Sequence, residues 1–192
     1  IPLHVWHSRV ADLQKPDWCV LDLDPKEAPF EHVVDVARAL HHLCDEIDLP
    51  HFVKTSGSSG LHVLVPLRRQ FTHEQARILA HLLAQVIVAE NDEIATLHRV
   101  IDRREGKVYL DYLQNGHGKL IAAPFSVRPR PGGPVSMPLA WDEVRHGLAI
   151  LDFTLANAAP RMEELGDDPL RPVLEVKPDL MGALERLQAR LA

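Results

Sequence analysis

The sequence predicts an α+β fold in which a mixed or antiparallel sheet is flanked by helices. Short apolar runs of strand length, Trp18 to Leu23 and Leu61 to Leu67 among them, alternate with longer stretches whose apolar residues recur at helical spacing. Turn-forming clusters such as Asp48-Leu49-Pro50 and Thr55 to Gly60 separate the two kinds of segment. With 192 residues the chain is long enough to bury a real core. Its 46 % apolar and 25 % charged content excludes a disordered or fibrous chain.

In chain order, Leu3 to Trp6 and Trp18 to Leu23 read as strands. Val33, Val34, Ala37, Leu40, Leu43, Cys44 and Ile47 line one face of a helix over Phe30 to Ile47, which Asp48-Leu49-Pro50 stops. Phe52 to Lys54 and Leu61 to Leu67 form two more strands joined by the small-residue turn. Thr72 followed by Gln75 is a capping box opening a helix that runs to about Ala89. Val108 to Tyr112 and Leu120 to Ala123 read as a strand pair around the loop Gln114 to Lys119. Five of the fifteen prolines fall between Pro124 and Pro138, which predicts an extended segment that is neither helix nor central strand. Trp141 onward, Leu155 to Leu165 and Leu180 to Leu191 read as helical, with a Gly166 to Pro172 linker. The stripe Leu180, Leu184, Leu187, Leu191 predicts a docking face, and Trp141 a helix anchor.

The most informative pair is Asp22 and Asp24, which end an apolar strand. Side chains i and i+2 leave one face of a strand, so both carboxylates point the same way about 7 Å apart. Like charges held together attract a cation, and hard oxygen ligands suit Mg²⁺ or Mn²⁺. A solvated strand end before a proline turn gives the same pattern. Asp111 interrupts the run Val108 to Leu113 in the same way and is the candidate third ligand, since an acid in an apolar strand is costly unless paired or liganded.

Lys54-Thr55-Ser56-Gly57-Ser58-Ser59-Gly60-Leu61-His62 places small residues and hydroxyls in a turn whose amides could cradle phosphate, with Lys54 and His62 as donors. It lacks the Gly-Lys-Ser/Thr of a Walker A loop. In Ser126-Val127-Arg128-Pro129-Arg130, two arginines stand out from a stiff backbone, suited to bidentate phosphate contacts. The net charge of −6 argues against an indiscriminate polyanion binder. Yet from Arg99 to Arg130 seven basic residues face three acids, which is a phosphate-attracting patch or a basic loop without a ligand.

Other signals are weaker. His41, His42 and Cys44 share a helix, but only one or two can face a common side and no second ligand pair at zinc spacing follows, so no zinc site is expected there. His4 and His7 flank Trp6 and suggest packing. Cys19 and Cys44 read as core thiols in a reducing cytoplasm, with no signal peptide. The apolar stretch Ile78 to Ala89 is too short to span a bilayer, so no membrane partner is expected.

These segments together resemble the polymerase domain of bacterial DNA ligase D, in the archaeo-eukaryotic primase superfamily. The resemblance runs in the family's order through Leu3-His4-Val5-Trp6, Asp22-Leu23-Asp24-Pro25, Lys54-Thr55-Ser56-Gly57, Gly60-Leu61-His62-Val63, Asp111-Tyr112-Leu113-Gln114-Asn115, Ser126-Val127-Arg128-Pro129-Arg130 and Pro138-Leu139-Ala140-Trp141-Asp142-Glu143. It implies a primase-like, RRM-like core occupying 1–192 as one domain, with 150–192 as a C-terminal helical segment. It further implies that Asp22, Asp24 and Asp111 bind two Mn²⁺ or Mg²⁺ ions. Ser56, His62 and Arg128 would contact a nucleoside triphosphate, with Lys54, Arg104, Lys119 and Arg130 as supporting phosphate contacts.

The implied activity is nucleotide addition, ribo- or deoxyribo-, to a primer 3′-hydroxyl at gaps or broken DNA ends during end joining. The setting would be the bacterial nucleoid, and the partners a DNA primer-template, ligase or nuclease modules and a Ku-type end-binding protein. Family domains usually carry further chain before the Leu-His-x-Trp segment. Recognition of a 5′-phosphate and template is therefore expected from another part of a longer protein or another chain, unless this is a minimal form. Rival readings are a noncatalytic end-binding module and a metal-dependent phosphohydrolase.

Overall fold

A computed structural model describes residues 1–191. Its centre is a six-stranded mixed sheet of order β10-β5-β6-β4-β8-β7, formed by β4 (Trp18–Asp24), β5 (Phe52–Thr55), β6 (Leu61–Pro66), β7 (Ala95–Thr96), β8 (Val108–Asp111) and β10 (Pro138–Leu139). All neighbours are antiparallel except β7 with β8. The short strands β1 (His4–Trp6) and β9 (Leu120–Ala122) pair with each other, and β2 (Ser8–Arg9) pairs with β3 (Asp12–Pro16).

The period-2 alternation of the central strands divides the sheet into two chemically different faces. Cys19, Leu21, Leu23, Val53, Leu61, Val63, Val65 and Leu110 point to one side. There they pack against the apolar stripes of α1 (Phe30–Glu46) and α2 (His73–Glu90) in the main core. Thr72 caps α2 in the expected reciprocal box with Gln75. The last helix, α4 (Leu180–Leu191), buries Leu180, Ala183 and Leu187 in the same core with Leu184 packed against it, so most of the leucine stripe docks inward, while Leu191, expected on it, is exposed. On the opposite face, Val20, Leu64 and Phe52 form a smaller apolar cluster with Ile121, Leu170 and Val173. Lys54, His62, Asp22, Asp24 and Asp111 add a polar group to that face.

Several elements differ from the sequence reading. The expected β8–β9 hairpin does not form: β8 pairs with β4, and β9 with β1. A 3₁₀ turn over Leu113–Asn115 turns the chain away after β8 and separates the two strands. The segment from Trp141 holds two separate 3₁₀ turns, Trp141–Glu143 and Ile150–Asp152, and the next α-helix is α3 (Ala158–Leu165), which starts later than Leu155. The β2–β3 pair was missed because its strands carry mostly polar, exposed residues. The proline-rich stretch is neither helix nor central strand, as expected, but it is not uniformly extended: it folds back on itself so that Val127 pairs with Val135, with positive φ at Phe125, Gly132 and Gly133, and its Pro138–Leu139 end supplies the edge strand β10.

Candidate active site

Register places one polar row across the middle of the open face. Lys54 on β5 stands opposite His62 on β6, His62 opposite Asp22 on β4, and Asp22 opposite Asp111 on β8. Directly opposed residues share a face, so four neighbouring strands present Lys-His-Asp-Asp in line. Asp24, two residues beyond Asp22, stands opposite Tyr109 on that same face.

The row is internally bonded. Lys54, with no solvent exposure, donates from Nζ to Ser136 Oγ at 2.6 Å and lies 2.8 Å from His62 Nδ1. The Ser136 hydroxyl in turn donates to the Thr55 carbonyl at 2.8 Å. His62 Nε2 lies 3.5 Å from Asp22 Oδ1. Asp24 Oδ2 accepts from Arg104 Nη1 at 2.8 Å, and the Arg104 guanidinium stacks 4.4 Å from the Tyr109 ring centre. Asp111 accepts from Tyr109 Oη at 3.2 Å, the Leu113 amide at 2.9 Å and Gln114 Nε2 at 3.2 Å.

Burial and crowding shift the titration of this row. Desolvation, followed by the Asp111 and Asp24 charges, pushes Asp22 up to about 7 against the opposing pull of Lys54 and Arg128. Burial pushes Lys54 down to about 7. His62 is held well below its ordinary value by burial and by the Lys54 and Arg128 charges, and so stays neutral. The Tyr109 hydroxyl is pushed up by burial and Asp111, and remains a donor.

Glycines let the turn after β5 close over this end of the sheet. A Cβ on Gly60 would lie 1.9 Å from the Leu23 carbonyl oxygen, between the two β4 aspartates. Gly57, at φ +67°, would meet the Ser136 amide at 2.7 Å and Arg128 Cγ at 2.8 Å. The close approach carries Arg128 to the site, where its Nη1 donates to the Ser56 carbonyl at 3.0 Å. The Ser56 hydroxyl accepts the amides of Ser58, Ser59 and Gly60 at 3.1, 3.2 and 3.0 Å. Those amides, expected to cradle phosphate, instead fold the turn around Ser56.

The structure thus brings Asp22, Asp24, Asp111, Lys54, His62, Ser56, Arg104 and Arg128 to one end of the open face. Lys54, expected among the phosphate contacts, is enclosed behind His62 and supports it. Arg104 is spent on Asp24. Arg130 is exposed and close enough to Arg128 for their charges to repel, while Lys119 lies exposed in the loop before β9 with no bond to the row.

Asn115 closes the Asp111-Tyr112-Leu113-Gln114-Asn115 motif and has a structural role that the sequence does not show. Its side chain accepts from the Val20 amide and donates to the Val20 carbonyl, both at 2.7 Å, standing in for a missing strand beside β4. The signal was an amide residue just past a strand, which sequence alone cannot tie to a partner 95 positions away. Asn115→Ala leaves two buried backbone groups unpaired at about 1 to 3 kcal/mol each, so a loss of roughly 2 to 6 kcal/mol in urea unfolding is expected. A change below about 0.5 kcal/mol, the range of ordinary surface substitutions, would remove Asn115 as the staple.

The donor set fits hard divalent cations. All three candidate ligands are carboxylates, and Asp22 carries a charge its neighbours oppose, which a bound dication would relieve. Among the described residues their oxygens do not gather as closely as the imidazole nitrogens of His41 and His51 and the carboxylate of Asp45 do on the helix side. Each aspartate is drawn aside by its own partner: Asp22 towards His62, Asp24 by Arg104, and Asp111 by its three donors.

An α+β sheet with aspartates on adjacent strands of its open face, flanked by a histidine and arginines, defines the primase–polymerase class of domain. Residues 1–170 match the family model described as LigD, primase-polymerase domain, and the chain belongs to that family. The multifunctional non-homologous end joining protein LigD of Pseudomonas aeruginosa is 33 % identical over 192 residues, which is 99 % of this chain and 23 % of that protein. The bifunctional non-homologous end joining protein LigD of Bacillus subtilis is 33 % identical over 174 residues, 84 % of this chain and 28 % of that protein. The chain therefore spans about a quarter of the length of these curated relatives. Among solved structures, the polymerase domain from Mycobacterium tuberculosis ligase D in complex with DNA superposes with a TM-score of 0.76 at 31 % identity, covering 85 % of this chain and 57 % of that one. The expected α+β, primase-like fold is borne out. No helix among the described residues is long and apolar enough to cross a membrane.

Proposed function

We propose that this chain is a metal-dependent nucleotidyltransferase that adds ribo- or deoxyribonucleotides to a primer 3′-hydroxyl at gaps or broken DNA ends in end joining, in the cytoplasm at the nucleoid. The observation that carries the reading is the polar row Lys54-His62-Asp22-Asp111, flanked by Asp24 and Arg128 on the open face of the sheet. Membership of the LigD family supports it.

Asp22, Asp24 and Asp111 would hold two Mn²⁺ or Mg²⁺ ions. When bound, such ions activate a hydroxyl nucleophile and offset the charge of a triphosphate. The chain's own residues do the rest. Lys54 bonds to His62 Nδ1, which leaves the proton on Nε2, the nitrogen facing Asp22 and the ligand side. His62 Nε2–H and the Arg128 guanidinium are the donors for triphosphate oxygens. Ser56 shapes the turn that sets Arg128 in place, and its hydroxyl would contact the triphosphate. Arg104 and the Asp111 donors fix the directions of Asp24 and Asp111, and these bonds would have to loosen for the carboxylates to converge on an ion. Lys119 and Arg130 would serve DNA or phosphate from the rim. The relatives are described as non-homologous end joining proteins, and ligase or nuclease modules and a Ku-type partner are proposed to act beside this one.

The test is extension of a labelled primer on a gapped duplex bearing a 5′-phosphate, with Mn²⁺ and either class of nucleotide. Nucleotide addition supports the assignment. Nucleotide binding without product would make the chain a noncatalytic module, and release of inorganic phosphate or cut DNA would make it a hydrolase. In the same assay, Arg128→Ala is expected to raise the nucleotide concentration giving half-maximal rate by about tenfold or more, from lost charge-assisted bonds of about 1.5 to 3 kcal/mol. An unchanged nucleotide dependence would remove Arg128 from the site.

A further inference from the structure

A second set of metal-binding side chains gathers on the helix side of the sheet. His41 and Asp45 are one turn apart on α1, and His51 follows the Leu49-Pro50 turn, which folds its imidazole back over theirs. One ligand atom from each lies within 4.8 Å of the other two. His41 Nδ1 and His51 Nε2 are 2.7 Å apart, and His41 Nε2 is 3.6 Å from Asp45 Oδ2.

The protons of the pair follow from their partners. His51 Nδ1 lies 2.9 Å from the Leu49 carbonyl oxygen, which can only accept, so Nδ1 bears the hydrogen and Nε2 presents its lone pair. An imidazole anchored to a backbone carbonyl through its far nitrogen is the arrangement that orients histidines bound to metals. Trp141 holds the pair from outside. Its indole stacks on His41 at 4.3 Å with an interplanar angle of 5°, and its Nε1–H donates to the His51 carbonyl at 3.1 Å. Asp45 is 60 % exposed, so one side is open to water as a further ligand.

We propose that His41, Asp45 and His51 form a binding site for a borderline transition-metal dication such as Zn²⁺ or Ni²⁺, separate from the aspartate face. Two imidazoles and one carboxylate with an open position suit these ions and not Mg²⁺. The sequence reading excluded zinc because α1 alone offers too few ligands on one side; the missing ligand arrives from His51 across the helix-ending turn. Binding through His41 Nδ1 moves its proton to Nε2, so neither imidazole changes charge. Val53, next but one to His51, faces the helices while Lys54 faces the aspartates, so the two sites lie on opposite faces of the sheet. A bound ion ties the end of α1 to the start of β5.

The decisive experiment is calorimetric titration of the chelator-stripped protein with Zn²⁺ in saturating Mg²⁺, which occupies oxygen sites and leaves imidazoles free. One Zn²⁺ per chain is expected, and Asp45→Asn, an exposed change that spares the fold, should weaken it by about tenfold or more. His51→Gln should abolish it, and Ni²⁺ should quench the Trp141 fluorescence that Trp141→Phe removes. Retention of full Zn²⁺ affinity in Asp45→Asn and His51→Gln, or no Zn²⁺ uptake by the wild type, would overturn the proposal. Primer extension in Mn²⁺ should be unchanged in Asp45→Asn, which separates this site from the polymerase reading.

Discussion

Asp22→Asn is expected to reduce primer extension by more than about a hundredfold and, without divalent metal, to make the protein more stable. Removing groups that merely orient a metal ligand costs about 10- to 100-fold, so loss of a ligand should exceed that. The stability gain has a definite pH dependence. An unfolded aspartate releases its proton near 3.8, whereas the folded Asp22 is pushed up to about 7. Between these values the folded state holds more protons than the unfolded one, so wild-type stability falls as pH rises through the window, and the deficit is complete above about 7. Asn carries no such penalty.

At pH 8 without metal, the variant should gain on the order of 2 kcal/mol, allowing for partial solvent access, or roughly 5 °C in Tm. Below pH 4 the two proteins should coincide. Saturating Mn²⁺ should reverse the order, because only the wild type gains binding energy. Melting curves at two pH values with and without Mn²⁺ decide the matter. An Asp22→Asn variant that extends primers at the wild-type rate would sink the assignment of Asp22 as a ligand. Equal stability at pH 8 would mean that Asp22 is not electrostatically crowded.

The parts of this arrangement that were legible in the sequence are those set by local physics. Strand alternation put Asp22 and Asp24 on one face, and the periodicity of α1 and α2 with the Thr72 box fixed both helices to within a few residues. Pairing was not legible. Whether β8 joins β9 or β4 depends on what competes for the β4 edge, and Asn115 occupies part of that edge from far along the chain. The same gap explains Lys54. Its position beside a glycine turn suggests a phosphate contact, but only the register with β6 and β10 reveals that it lies beneath His62 and Ser136. The exposure of Lys119 and the commitment of Arg104 to Asp24 were equally unavailable, because charge counting along the chain does not say which cations already have partners.

Lys54→Met carries the second large effect, and it acts through Asp22 and His62 rather than through a ligand contact. Methionine fills much of the volume of a lysine stem without a buried charge, and Ser136 keeps its bond to the Thr55 carbonyl, so the fold should survive. Two things change in the row. The nearest buried cation is lost, so the Asp22 pKa rises beyond about 7 and the carboxylate needed for metal binding appears only at higher pH. His62 also loses the donor at Nδ1 that fixes its tautomer, so its proton can move to Nδ1 and leave a lone pair at Nε2 facing the Asp22 oxygen. Both changes weaken metal binding near neutrality. Extension at pH 7 should fall about tenfold or more, as for loss of a group that orients a ligand, and recover in part at pH 9. The whole acidic limb of the pH–rate profile should move upward. A direct phosphate contact predicts something different: a raised nucleotide requirement at every pH with the limb unmoved. Measuring the pH–rate profile at saturating and at low nucleotide separates the two, and an unshifted limb would show that Lys54 does not tune Asp22.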